Sequence, residues 1–244
     1  MTDSVVPPVA YDQIASELGG RGVRAVVLTG SRASGSEGPY SDVDIVRFTR
    51  KRPNVKVHDG YHLREGVLIS VNSVPPAAVA TWFERPEVAV EVIAGMRIAR
   101  ALTDRSSYFA GIQKRARDFV WDREIQTKAD AWAGEQMVYW SEEVHKGLEG
   151  LLRDDVGRLL NARHGCSWGL ATAVCVQKGV LLPGDNALFD SVSSALGRES
   201  QWAKTLRAAF GIRDHRGQCP DLRAQVAAGL RLYVLTAEMM REIF

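Results

Sequence analysis

Two short β-branched runs, joined by a glycine-rich turn over residues 23–46, constrain this chain more than any other feature. Val23 to Thr29 reads Val-Arg-Ala-Val-Val-Leu-Thr between Gly22 and Gly30. A short apolar run bounded by glycines predicts a buried strand. Gly30-Ser31 then opens a turn, and Arg32-Ala33-Ser34-Gly35 begins a short helix. After the turn Gly38-Pro39-Tyr40-Ser41, the run Asp42-Val43-Asp44-Ile45-Val46 predicts a second strand. Strand side chains alternate faces. Asp42 and Asp44 therefore share one face, and Val43 and Ile45 point into a core.

The residue types along this stretch suit anion and cation binding side by side. Gly30 lets backbone N–H groups approach a phosphate with no Cβ in the way. Ser31 adds a hydroxyl donor, the helix N-terminus favours negative charge, and Arg32 adds a full positive one. Ser41, in the turn before the aspartates, is a further nucleotide-binding candidate. Two carboxylates on one strand face repel each other unless a cation lies between them. A hard dication, Mg²⁺ or Mn²⁺, takes such oxygen ligands and shares them with phosphates. Two ions at such a site would clamp the attacking and leaving oxygens of an in-line displacement. Asp-x-Asp alone also fits a solvated strand face, and Gly-Ser alone an ordinary turn; the specific signal is the combination.

The fifteen residues from Gly30 to Asp44 resemble the signature of the polymerase-β-type nucleotidyltransferase superfamily. The likeness is greatest to its small bacterial members, the aminoglycoside nucleotidyltransferases and the minimal nucleotidyltransferases. Judged by strand order, it spans about residues 20 to 118. The resemblance implies that Gly30 and Ser31, with Arg32 and Ser41 beside them, hold the triphosphate of an NTP. It implies that Asp42 and Asp44 bind the metal and are catalytic. It also implies a third carboxylate on a later strand, which should match Val67 to Val74. There Val67, Ile69 and Val71 form one apolar face, while Ser70 and Asn72 lie on the other, and neither of these two is acidic. Two functions follow. One is metal-dependent transfer of NMP from an NTP to a hydroxyl acceptor, with a small molecule such as an aminoglycoside favoured over protein or RNA. The other is a degenerate, non-catalytic member that binds a nucleotide or a partner. In aminoglycoside-type relatives a carboxylate of the helical domain serves as general base. By position that role falls to Glu142, with Glu135, Glu143 and His145 on the same stretch.

The rest of the chain sets the frame. Val9 to Leu18 predicts a short helix stopped by Gly19-Gly20. Lys56 to Glu65 and Gly66 to Val74 predict a hairpin, helices follow over 77–84 and 86–95, and Arg97 to Thr103 reads as the last strand. From Tyr108 onward strand signals vanish. Helices are expected over 108–123, 125–152, 154–178 (broken near Gly165), 187–196, 201–210 and 222–243. The expectation is an α+β protein: a small mixed-sheet nucleotidyltransferase domain over 1–107 and an all-helical bundle domain over 108–244. Trp132, Tyr139 and Trp140 fit either core packing or a stacking surface.

Composition excludes several classes. A net charge of +2 over 244 residues gives no case for bulk nucleic-acid binding. Locally, Arg47, Arg50, Lys51 and Arg52 form either a solvated loop or a polynucleotide track. Cys166, Cys175 and Cys219 are too widely spaced for a zinc site and suit a reducing cytoplasm. No apolar run approaches the ~20 residues of a membrane span.

Overall fold

The computed structural model describes residues 9–50, 57–213 and 217–241. Its α+β architecture is a mixed five-stranded sheet with helices, followed by a helical region. The chain divides into two compact units, Met1–Val120 with Leu181–Gly184, and Trp121–Val180 with Asp185–Phe244.

In the first unit, helix α1 (Tyr11–Leu18) precedes β1 (Val23–Thr29), the short helix α2 (Gly30–Ser34), β2 (Val43–Thr49), β3 (Gly60–Arg64) and β4 (Val67–Val74). Helices α3 (Pro76–Thr81) and α4 (Pro86–Ile98), strand β5 (Arg100–Asp104) and helix α5 (Tyr108–Asp118) complete it. The strand order is β3-β4-β2-β1-β5. Strands β2 and β4 run parallel; β1–β2, β1–β5 and β3–β4 are antiparallel. The predicted hairpin is β3–β4. Its two-residue turn uses Glu65 (φ 49°) and Gly66 (φ 79°), the left-handed pair that matches strand twist.

The two faces of the sheet are covered differently. On one, Val26, Leu28, Val43, Ile45, Ile69 and Val71 pack with Ile14 and Leu18 of α1. On the other, Phe48 lies in an aromatic cluster, its ring centroid 5.8 Å from that of Trp82, 6.0 Å from Tyr108 and 5.6 Å from Phe109. Helix α4 buries Ala89, Val90, Ile93 and Met96, one face of a helix by spacing. The peptide N–H of Leu182 donates to the Val90 carbonyl at 2.7 Å, which ties the 181–184 excursion to this unit.

Helix α4 continues through Ile98, so β5 begins at Arg100 rather than at Arg97. The Asp104 carboxylate then accepts from the peptide N–H groups of Phe109 and Ala110, both at 2.9 Å, and caps α5. Helix α5 ends at Asp118, short of Arg123, and lies in the first unit. The division at 120/121 thus falls one helix later than the expected boundary at 107.

The second unit is helical. Helix α6 (Arg123–Arg153) is followed by α7 (Val156–His164), a π-helical turn (Gly165–Gly169) and α8 (Leu170–Gln177). Helices α9 (Leu188–Ala195), α10 (Gln201–Ala209) and α11 (Leu222–Met239) follow. Asp122, Asp155, Ser200 and Asp221 cap α6, α7, α10 and α11 by accepting backbone N–H groups. The expected break near Gly165 is the π turn, and the helix continues through it. Glycine is needed there because Trp140 lies against it: a Cβ on Gly169 would stand 2.2 Å from Trp140 Cε2. That contact packs Trp140 into this unit, whereas Tyr139 is exposed. No described helix is long and apolar enough to cross a membrane.

Candidate active site

The site is assembled at the end of β1 and the start of β2. Strand β1 closes with Thr29, whose Cα partner across the ladder is Asp44. The chain turns immediately at Gly30, which has φ 68°, a conformation L side chains rarely adopt. A Cβ built on Gly30 would lie 2.2 Å from Asp44 Oδ2. The glycine of the Gly-Ser pair and the second aspartate of the Asp-x-Asp pair therefore occupy adjoining space. Only a residue without a side chain fits between the turn and the carboxylate.

Asp42 sits one residue before β2, which begins at Val43, so the predicted strand start moves by one. Its position is fixed from the side by Arg32. The Arg32 guanidinium is buried and donates from Nε to the Asp42 carbonyl at 3.0 Å and from Nη2 to the Ser41 carbonyl at 3.0 Å. These contacts give Arg32 a positioning function: it ties α2 to the approach of β2. Ser41 closes the preceding turn in both directions. Its Oγ accepts from the Gly38 N–H at 2.9 Å, and its own N–H donates to the Gly38 carbonyl at 3.0 Å. Gly30, Ser31, Arg32, Ser41, Asp42 and Asp44 thus belong to one continuous constellation of α2, the turn and β2.

The neighbouring strand supplies the decisive departure from the sequence pattern. In the parallel β2–β4 ladder, Asp44 is the Cα partner of Ser70. Ser70 is buried, and it holds the place beside Asp44 where the resemblance expects a carboxylate. Among the described residues no group of three or more His, Cys, Asp or Glu side chains could hold a metal ion. The oxygen donors these positions offer are the carboxylates of Asp42 and Asp44 and the hydroxyl of Ser70. This suits a hard cation that completes its shell with phosphate oxygens or water.

The remaining candidates belong to the second unit. Glu142 is exposed on α6, with Oε1 3.0 Å from Lys146 Nζ, and Glu143 lies 2.7 Å from the same ammonium. Hydrogen bonds donated to Glu143 and Glu142 hold the Lys146 ammonium above its usual range. Glu135 and His145 are exposed on the same helix. Burial, and then the nearby Glu143, push the Cys166 thiol up to about 12, so it stays protonated at neutral pH.

Arg47 corrects the reading of the basic segment. It belongs to neither a solvated loop nor a surface track; it is 1% exposed within β2. Its guanidinium donates to Ser73 Oγ at 2.9 Å, the Val57 carbonyl at 2.9 Å and Asp59 Oδ1 at 2.8 Å. Ser73 Oγ also donates to Asp59 Oδ1 at 2.7 Å. The signal for this was its place in alternation with Val43 and Ile45, on the core face. Arg50 is exposed, and Lys51 and Arg52 lie outside the described residues.

Residues 11–98 match the family model of the nucleotidyltransferase domain. The match contains the Gly-Ser turn, the aspartate pair and the Ser70 strand together. This segment is similar to the nucleotidyltransferase domain. A likeness also extends beyond it. The crystal structure of a nucleotidyltransferase-like protein from Exiguobacterium sibiricum 255-15 superposes with a TM-score of 0.50 at 13% identity, covering 94% of this chain and 72% of that one. At that identity the likeness concerns the fold, which includes the helical region following the nucleotidyltransferase domain. No curated protein matches the sequence.

Proposed function

We propose that the protein is a metal-dependent nucleotidyltransferase that moves NMP from an NTP to a hydroxyl acceptor, a small molecule in preference to protein or RNA. The observation that carries this reading is the closeness of Gly30 to the Asp44 carboxylate, which brings the Gly-Ser turn and the aspartate strand to one point. Mg²⁺ or Mn²⁺ would be held by Asp42 and Asp44, and when bound it would neutralise phosphate charge. Gly30 backbone and Ser31 hydroxyl are the assigned phosphate donors. Arg32 and Ser41 hold the turn that aims Asp42.

Calorimetric titration with ATP, with and without Mg²⁺, tests the reading. Native protein should bind ATP in a Mg²⁺-dependent manner. Asp42→Asn and Asp44→Asn should lower that affinity at least tenfold with the fold retained. Equal affinity in the native protein and both aspartate variants would sink the assignment.

A second reading, a nucleotide-holding protein with little turnover, is favoured by one observation, the Asp44–Ser70 register. It shares the metal-dependent binding and differs in transfer alone.

A further inference from the structure

The face of the sheet that carries the aspartates is covered at one end and open at the other. The covered end is the Phe48 cluster. The open end is the β3–β4 hairpin. Cross-strand partners on the hairpin are Leu63 with Leu68 and Tyr61 with Ser70. Because Ser70 is also the partner of Asp44, all four share the aspartate face. Three of them are apolar and exposed: Tyr61 at 74%, Leu63 at 75% and Leu68 at 42%. Two strand spacings, about 10 Å, separate the Tyr61 backbone from that of Asp44.

We infer that this hairpin face binds the acceptor, and that the acceptor is a hydroxyl carried on an uncharged aromatic or aliphatic body. The inference rests on the proposed nucleotidyl transfer and specifies its second substrate. In that reaction the acceptor oxygen forms a bond to the α-phosphorus, the bond from that phosphorus to the pyrophosphate oxygen breaks, and the hydroxyl proton leaves to water. Attacking and leaving oxygens are roughly in line. The phosphate-binding turn lies on the β1 side of Asp44, since Gly30 follows Thr29, the β1 partner of Asp44. Pyrophosphate departs toward that side. The acceptor must then enter from the opposite side of Asp44, which is Ser70 and, beyond it, Tyr61.

The chemistry of this face decides the acceptor class. Tyr61, Leu63, Leu68, Ser70 and Asn72 are uncharged residue types, and the carboxylate in register with Ser70, Asp44, is assigned to the cation. A polycationic aminoglycoside would find nothing there to pair its ammonium groups. An aromatic or alkyl body would cover apolar surface and stack on Tyr61.

The test uses full-length protein saturated with Mg²⁺ and α,β-methylene-ATP, and three probes: phenyl β-D-glucoside, glucose and kanamycin. Calorimetry should show phenyl glucoside binding at least tenfold more tightly than glucose and more tightly than kanamycin. Leu63→Asp and Tyr61→Ser, both at exposed positions, should abolish that preference and leave nucleotide affinity within twofold. Equal binding of phenyl glucoside and glucose, or tighter binding of kanamycin, would overturn the inference. So would a loss of nucleotide affinity in the hairpin variants, which would assign the face to the nucleobase. Native protein that fails to bind Mg²⁺-ATP would overturn the underlying transfer reading as well, whereas normal ATP binding without a phenyl preference overturns this inference alone.

Discussion

The two faces of the five-stranded sheet handle charge in opposite ways. On the α1 face, Arg47 is buried and its guanidinium is matched within the protein by Ser73, Val57 and Asp59. On the other face Asp44 lies against the Gly30 turn, two residues after a second carboxylate, Asp42. The first arrangement is electrostatically closed and contributes to folding. The second places like charges near one another in sequence, an arrangement that a bound cation would stabilise. A buried charge on its own therefore says little about function; the sign of its neighbours separates scaffold from site.

The strongest way to break this contrast is Arg47→Ala. Removing a buried guanidinium and its three donated hydrogen bonds should destabilise the protein by about 3 kcal/mol, read as a lower urea midpoint, with Mg²⁺-dependent ATP affinity of the folded protein unchanged. A change in ATP affinity with no loss of stability would reverse the assignment. The same network predicts a pH effect. Burial alone would raise the Asp59 carboxyl, but hydrogen bonds from Ser73 and Arg47 and the Arg47 charge outweigh it and hold the group below its usual 3.8. A depressed folded value adds stability above the unfolded value. That contribution is lost as pH falls from about 4 through the lower folded value, so the gap between native and Asp59→Asn stability should close on acidification.

Gly30→Ala acts on the other face and should affect both properties. The added Cβ meets Asp44 Oδ2, and the residue is forced to keep a positive φ. A destabilisation of about 2 kcal/mol is expected, with at least a tenfold loss of ATP affinity. Normal affinity would make the turn purely structural.

The smallest stability change, and the sharpest distinction, comes from Ser70→Asp. It adds a third carboxylate beside Asp44. Without metal the like charge should cost about 1 kcal/mol, and with Mg²⁺ ATP affinity should rise several-fold. A fall in affinity, together with robust native transfer, would mean that another carboxylate already completes the site.

Much of this was legible in the sequence because it depends on local pattern. Alternation put Ser70 and Asn72 opposite Ile69 and Val71, and the β2–β4 ladder pairs Asp44 with Ser70 on that face. The hairpin was legible for the same reason, through Glu65-Gly66. What the sequence concealed was tertiary. Nothing local indicated that Arg47 would meet Asp59 and Ser73, and its charge hid its place in the core alternation. The start of β5 was missed because Arg97 continues α4, where its Nε donates to the Ala116 carbonyl at 2.8 Å. Arg32 looked like a phosphate ligand by proximity, but the carbonyls of Ser41 and Asp42 occupy its guanidinium.

The parallel joint between β2 and β4 also has a kinetic meaning. Strands β1 and β2, and likewise β3 and β4, are sequence neighbours that pair antiparallel, so each hairpin closes a short loop and can form early. Asp44 and Ser70 belong to different hairpins and become neighbours only when β2 meets β4. The aspartates and the Tyr61 face are therefore brought together by a closure less local than either hairpin. In the folding chain, the functional centre is completed only after the scaffold on either side of it already exists.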